Sequence, residues 1–198
     1  LKDKGGMLRD YYPKNSIQEN ILNRRKSSRL DGYDYRQSGA YFVTICARKM
    51  ENIFGTITNR KMVINSRGQI AREEWFHTAQ IRPNVQLYKD EFVVMPNHIH
   101  GIIWIINEKA THRVAPTNHP FGLKPGSLGS IIGQYKSITA KRINQIRNTQ
   151  GMRVWQRNYY DRVIRNDKEL DAIRQYIQTN PENRKSDLCL PIYHLDNK

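Results

Sequence analysis

Cysteine is almost absent: the 198 residues include two, Cys46 and Cys189. They lack Cys-x-x-Cys spacing, so neither a disulfide framework nor a zinc ribbon is expected. No apolar run is long enough to span a bilayer. The first residues are polar and charged, which argues against a secretory leader and makes the cytoplasm the expected location. Acidic residues are scarce, with 18 Asp+Glu against 33 Lys+Arg. No Gly-x-Ser-x-Gly elbow, P-loop lysine or cluster of carboxylates is present, which removes three common ways of handling acyl and phosphoryl groups. Internal repeats and low-complexity tracts are missing too.

The charge is what stands out in their place. A formal net charge of +15 and a pI near 10.0 favour a polyanionic partner, nucleic acid first. A membrane surface fits less well, because the cations are not gathered on one amphipathic helix. Acidic proteins remain open as partners. The length suits one domain with a substantial core.

Hydrophobic patterning divides the chain into a basic arm over 1–37, a domain over 38–182 and a tail over 183–198. The six residues before Met7 read as an extraneous leader. A central strand is expected over 40–47, apolar on both faces, and a shorter one over 60–65. Asn65-Ser66 offers a cap for a helix over 69–81, with Ala71, Trp75 and Ala79 facing inward. Extended stretches follow over 85–88 and 91–95, then a clear strand over 98–106. After a proline-rich loop, Ser127 caps a long helix to about 147, with Leu128, Ile131, Ile132, Tyr135 and Ile143 among its apolar positions. Residues 154–164 fit either a short strand or an irregular link. Asn166 and Glu169 form a capping-box-like start for a last helix, with Leu170, Ile173 and Ile177 as its buried stripe. The order predicts an α+β fold, an antiparallel sheet with helices mainly on one face.

The most informative segment is Met95-Pro-Asn-His-Ile-His-Gly-Ile-Ile-Trp. Residues i and i+2 of a strand share a face, so His98 and His100 project side by side with Ile102 and Trp104. Two adjacent imidazoles suit a divalent ion, although hydrogen-bonded core histidines would also fit the pattern. A zinc hydrolase recruiting a third histidine, such as His112 or His119, is a further reading.

Tyrosine is abundant, with 11 residues. A phenol titrates near pH 10 and needs help to act as a nucleophile at neutral pH. Tyr135 lies on the apolar side of its helix. It is placed to pack against the sheet and reach the histidines, or simply to fill the core. Tyr159 and Tyr160 are the alternatives, as nucleophiles or as stacking platforms. From Gly133 to Asn166 there are eight cations and one acid. Lys136, Lys141, Arg142, Arg153, Arg157, Arg162 and Arg165, interleaved with aromatic rings, read as a nucleic-acid surface. Arg24, Arg25, Lys26 and Arg29 form a second basic knot.

With these residues in hand, the chain resembles the single-tyrosine HUH transposases, the insertion-sequence-200-like family, and within it the REP-associated branch. The matching pieces are Arg29-Leu-Asp-Gly-Tyr-Asp-Tyr, Gly39-Ala-Tyr-Phe-Val-Thr-Ile-Cys-Ala, Val93-Val-Met-Pro-Asn-His-Ile-His-Gly-Ile-Ile, Ser127-Leu-Gly-Ser-Ile-Ile-Gly-Gln-Tyr-Lys-Ser, Val154-Trp-Gln-Arg-Asn-Tyr-Tyr-Asp and residues 173–181. The resemblance implies a ferredoxin-like HUH fold, often paired into a dimer, with Mg²⁺ or Mn²⁺ at His98 and His100. It implies cleavage and rejoining of single-stranded DNA beside hairpins through a 5′-phosphotyrosine, with Tyr135 as the tyrosine. A polar ligand is then expected one turn later, at Thr139, or in its stead at Gln134 or Asp161. The alternative is a domesticated, catalytically inactive protein that binds DNA hairpins without cutting.

Overall fold

Alternation along the first strand organises the molecule. The structure is a computed structural model that describes residue 30 and residues 32–106 and 125–182. In chain order the elements are β1 (Gly39–Cys46), β2 (Gly55–Thr58), β3 (Lys61–Ile64), α1 (Ser66–Ile81), β4 (Val85–Gln86), β5 (Phe92–Val94), β6 (His98–Ile105), α2 (Leu128–Arg147), β7 (Tyr160–Ile164) and α3 (Asp167–Thr179). β1 runs antiparallel between β6 and β7, and β4 and β5 both pair with the other edge of β6. β2 and β3 form a separate two-stranded ribbon.

Because side chains alternate across a strand, β1 divides its residues between two cores. Tyr41, Val43 and Ile45 face the larger core, with Ile99, Ile103 and Ile105 of β6, and α1 and α2 cover it through Ala71, Trp75, Ile131, Ile132 and Tyr135. Ala40 and Phe42 face the other way, with Ile102, under Leu170, Ile173 and Ile177 of α3. Two helices thus lie on one face and one on the other. The α+β architecture and antiparallel sheet agree with the sequence pattern.

Capping fixes the helix starts. Asn65 Oδ1 accepts from the Arg67 and Gly68 N–H groups at 2.9 and 3.0 Å, so α1 opens three residues before the periodicity suggests. Asn166 Oδ1 accepts from Glu169 N–H at 2.9 Å, as the capping-box reading requires. The Glu169 carboxylate turns back to the Arg165 N–H and the Arg162 guanidinium. Such caps contribute about 1 kcal/mol each.

Gly101 is required by close packing. A Cβ there would collide with the Trp75 indole, so its absence lets α1 lie directly on β6. Cys46, at the end of β1, is disulfide-bonded, contrary to the spacing argument; its partner lies outside the described residues. The basic knot over 24–29, the proline-rich loop over 109–124 and the tail over 183–198 also lie outside them. Among the described residues, no helix is long and apolar enough to cross a membrane.

Candidate active site

His98 and His100 emerge from β6 on the face covered by α3. Both are fully buried, at 1% and 0% exposure. Their Nε2 atoms converge to 2.9 Å. The outer nitrogens are each fixed by a polar neighbour. His98 Nδ1 lies 2.7 Å from Asn97 Oδ1, and the Asn97 amide is oriented by donating from Nδ2 to the Met50 carbonyl at 3.3 Å. An amide oxygen only accepts, so His98 carries its proton on Nδ1 and turns the Nε2 lone pair inward. His100 Nδ1 meets Thr44 Oγ1 at 2.7 Å, from the position directly across on β1. Ring orientation through the outer nitrogen is what metal-ligating histidines ordinarily show.

The tyrosine that reaches this pair is Tyr176, on α3. Its hydroxyl is 3.2 Å from His100 Nε2, and its ring packs edge-on against His100 and Phe42. One helical turn later stands Asn180, 2% exposed. Among the described residues, neither its side-chain oxygen nor its nitrogen has a hydrogen-bond partner. A buried amide without partners costs about 1–3 kcal/mol, and it lies on the same helix row as Tyr176. The two convergent imidazole nitrogens are donors of the kind a divalent cation takes, and Asn180 adds an unsatisfied amide one helical turn from Tyr176. Among the described residues, no three His, Cys, Asp or Glu side chains group as a metal site, so no all-histidine zinc site is formed by them.

The expectation for Tyr135 is corrected. Its helix covers the opposite face of the sheet, where the hydroxyl donates to the Ala71 carbonyl at 3.0 Å and the ring packs between Trp75 and Trp155. Burial pushes its phenol well above the ordinary range. The sheet itself separates it from the histidines. The ligand substitutes fail for the same reason. Thr139 donates to the Tyr135 carbonyl, Gln134 accepts from Arg82, and Asp161 pairs with Val43 on the larger-core face. Tyr159 also packs against that core. Tyr160 does lie on the histidine side, directly across from Thr44.

The basic surface is more dispersed than the sequence suggests. Lys136 is turned inward, donating to the carbonyls of Gln156, Arg157 and Asn158; burial pushes its ammonium down to about 8 although those carbonyls receive its protons. Arg142 is held by Glu73 and Glu74 at 2.8 and 2.6 Å, and Arg162 by Glu169. Lys141, Arg153, Arg157 and Arg165 are exposed. Lys141 sits on α2, behind the sheet relative to the histidines.

Sequence reasoning missed Tyr176 and Asn180. The signal was available: Ile173, Tyr176 and Asn180 follow i, i+3, i+7 spacing, which puts a phenol at the margin of the apolar row of a short helix and an amide at its end.

Fold and site together define an α+β domain with a histidine pair on a central strand and a tyrosine presented from a helix. Profiles of known protein families give no match. An uncharacterized protein of Haemophilus influenzae (strain ATCC 51907 / DSM 11121 / KW20 / Rd) is 37% identical over 165 residues, covering 81% of this chain and 89% of the relative. The chain belongs to the same family as that protein. Among solved structures, the REP-associated tyrosine transposase bound to a REP hairpin aligns with a TM-score of 0.50 and 20% identity, over 77% of this chain and 72% of that one. A candidate transposase of Deinococcus radiodurans R1 aligns with a TM-score of 0.42 and 14% identity, over 76% and 95% of the two chains. The fold is that of the REP-associated tyrosine transposase.

Proposed function

We propose that the protein cleaves and rejoins single-stranded DNA beside hairpins, with Tyr176 as the nucleophile and His98, His100 and Asn180 as the seat of a divalent cation. The observation that carries this reading is the 3.2 Å approach of the Tyr176 hydroxyl to His100 Nε2, where two imidazoles converge. The fold shared with a hairpin-bound transposase and the net charge of +15 support the choice of substrate.

A cation held there would supply positive charge to the nonbridging oxygens of the scissile phosphate. Asn97 and Thr44 hold the two imidazoles in place from behind, so the site is organised before substrate arrives. Tyr176 gives up its proton to solvent, and its oxygen attacks phosphorus. The P–O3′ bond breaks, and the leaving 3′ oxygen takes a proton to become a hydroxyl. The product is a 5′-phosphotyrosine. Attack on that linkage by another 3′-hydroxyl reverses the chemistry, so rejoining needs no nucleoside triphosphate.

The test is a labelled hairpin oligonucleotide with a single-stranded flank, incubated with the protein and Mn²⁺ or Mg²⁺, or with chelator. A divalent-dependent covalent adduct mapped to Tyr176 by peptide mass spectrometry is expected. An adduct on another residue, or none under any divalent condition, overturns the reading.

A further inference from the structure

The β2–β3 ribbon stands apart from the main sheet, and nothing in the proposed chemistry uses it. Between residues 48 and 67 the chain carries Arg48, Lys49, Arg60, Lys61 and Arg67 against one acid, Glu51. Among the described residues, none of these five cations has a carboxylate partner, whereas Arg36, Arg142, Arg162 and Arg174 are each held by one. The outward row of the ribbon, Thr56, Thr58, Lys61 and Val63, is exposed.

Backbone conformation adds an independent observation. The ribbon turns through Asn59 and Arg60 at φ 50° and 61°. Tight hairpin turns of this kind favour glycine at the second position, because a side chain in the left-handed region is strained. Here the strained position holds an arginine. The 48–50 turn repeats the pattern, with Lys49 and Met50 at φ 56° and 58°. At Lys49 and Arg60 a long cation occupies a left-handed position where glycine would be locally more stable.

Both features border the candidate active site. The base of the ribbon is tied to β6 by the Phe54 N–H donating to the Pro96 carbonyl at 3.0 Å. The 48–50 turn accepts from Asn97, the residue that orients His98. β3 lies against the 180–182 turn that ends α3. Four-residue strands carry the tip about 13 Å from that base.

We propose that the β2–β3 ribbon and the 48–50 turn grip the backbone phosphates of the paired stem of a DNA hairpin, an inference that rests on the function proposed above. Charge complementarity selects the occupant. Uncompensated cations at the exposed tip of a two-stranded ribbon, whose inner face packs on the larger core through Met62 and Ile64, match the closely spaced phosphates of a duplex, and the attachment beside Asn97 sets the stem next to the strand to be cut.

The test uses the full chain without divalent ions. Fluorescence anisotropy measures affinity for a hairpin with a single-stranded flank and for the flank alone, across 50–200 mM salt. The Arg60→Gly/Lys61→Thr double variant is expected to weaken hairpin binding about tenfold and to reduce the salt-dependence slope by about 2, with flank binding unchanged. Its Tm should rise by about 2–4 °C as the strained turn relaxes, which separates lost contacts from lost folding. Arg72→Ser, on α1 behind the sheet, should leave both affinities unchanged. Unaltered hairpin affinity and slope in the double variant overturn the proposal, as does an equal loss in Arg72→Ser. If the double variant loses hairpin binding while the wild type forms no Tyr176 adduct, the chemistry fails and the stem grip stands. If adducts form and hairpin binding is insensitive to the ribbon, the grip alone fails. A wild type that binds no hairpin overturns both.

Discussion

Exchanging phenol for phenyl at the two tyrosines on opposite faces of the sheet should produce opposite phenotypes. Tyr135→Phe removes a hydroxyl that donates to the Ala71 carbonyl from a residue 2% exposed. That carbonyl lies inside α1, where the i+4 backbone N–H still satisfies it, so only the net worth of one hydrogen bond is lost, about 1 kcal/mol. The ring keeps its packing against Trp75 and Trp155. In a domain of this size such a loss lowers Tm by about 2–4 °C, with covalent DNA adducts undiminished. Tyr176→Phe does the reverse. Its ring is half-buried against Phe42 and His100, so Tm should move by less than about 1 °C while adducts disappear. The assays are thermal denaturation by circular dichroism and denaturing gels of protein with a labelled oligonucleotide and Mn²⁺. Adducts lost in Tyr135→Phe and kept in Tyr176→Phe would refute the assignment of the two faces.

Asn97→Ala releases the outer nitrogen of His98, and Asn180→Ala removes an amide oxygen. Each should weaken Mn²⁺ binding about 10–100-fold by calorimetry in a Tyr176→Phe background; unchanged affinity in both would remove them from the cation site. Gly101→Ala drives a methyl group into the Trp75 indole, and the urea midpoint should report a loss of about 1–3 kcal/mol. Lys136, held down to about 8 by burial against an ordinary 10.5, binds its proton less readily folded than unfolded. Between those values the unfolded chain carries more protons, so stability should rise with pH. Relative to Lys136→Met, the wild type should gain stability from pH 8 to 10.5; a flat difference would show that the three carbonyls offset the desolvation.

The sequence was most legible where a single period governs. Alternation along β6 placed His98, His100, Ile102 and Trp104 on one side and Ile99, Ile103 and Ile105 on the other, as found. The 3.6-residue period placed α2 and its inner stripe within a residue of the observed start. What periodicity lacks is the sign of a helix's position relative to the sheet. The apolar row of α2 says that Tyr135 faces a sheet; it does not say which face. The stripe of α3 has the same ambiguity, and there Tyr176 sits one position before Ile177, on the margin of an apolar row. β2 escaped because Gly55-Thr-Ile-Thr is short and carries a single apolar side chain, Ile57. The cations of 136–165 looked like one surface because a linear count does not see Glu73, Glu74 and Glu169 arriving from elsewhere.

The partition created by the sheet has an evolutionary corollary. Most of the apolar mass that keeps this domain folded lies on the side away from the histidines, so exchanges of polar groups at the candidate site leave the larger core untouched. Descendants could therefore shed chemistry without shedding shape. On the function proposed above, a copy retired from cutting would keep its fold, and positions 98, 100, 176 and 180 are where its sequence would differ from that of a cutting one.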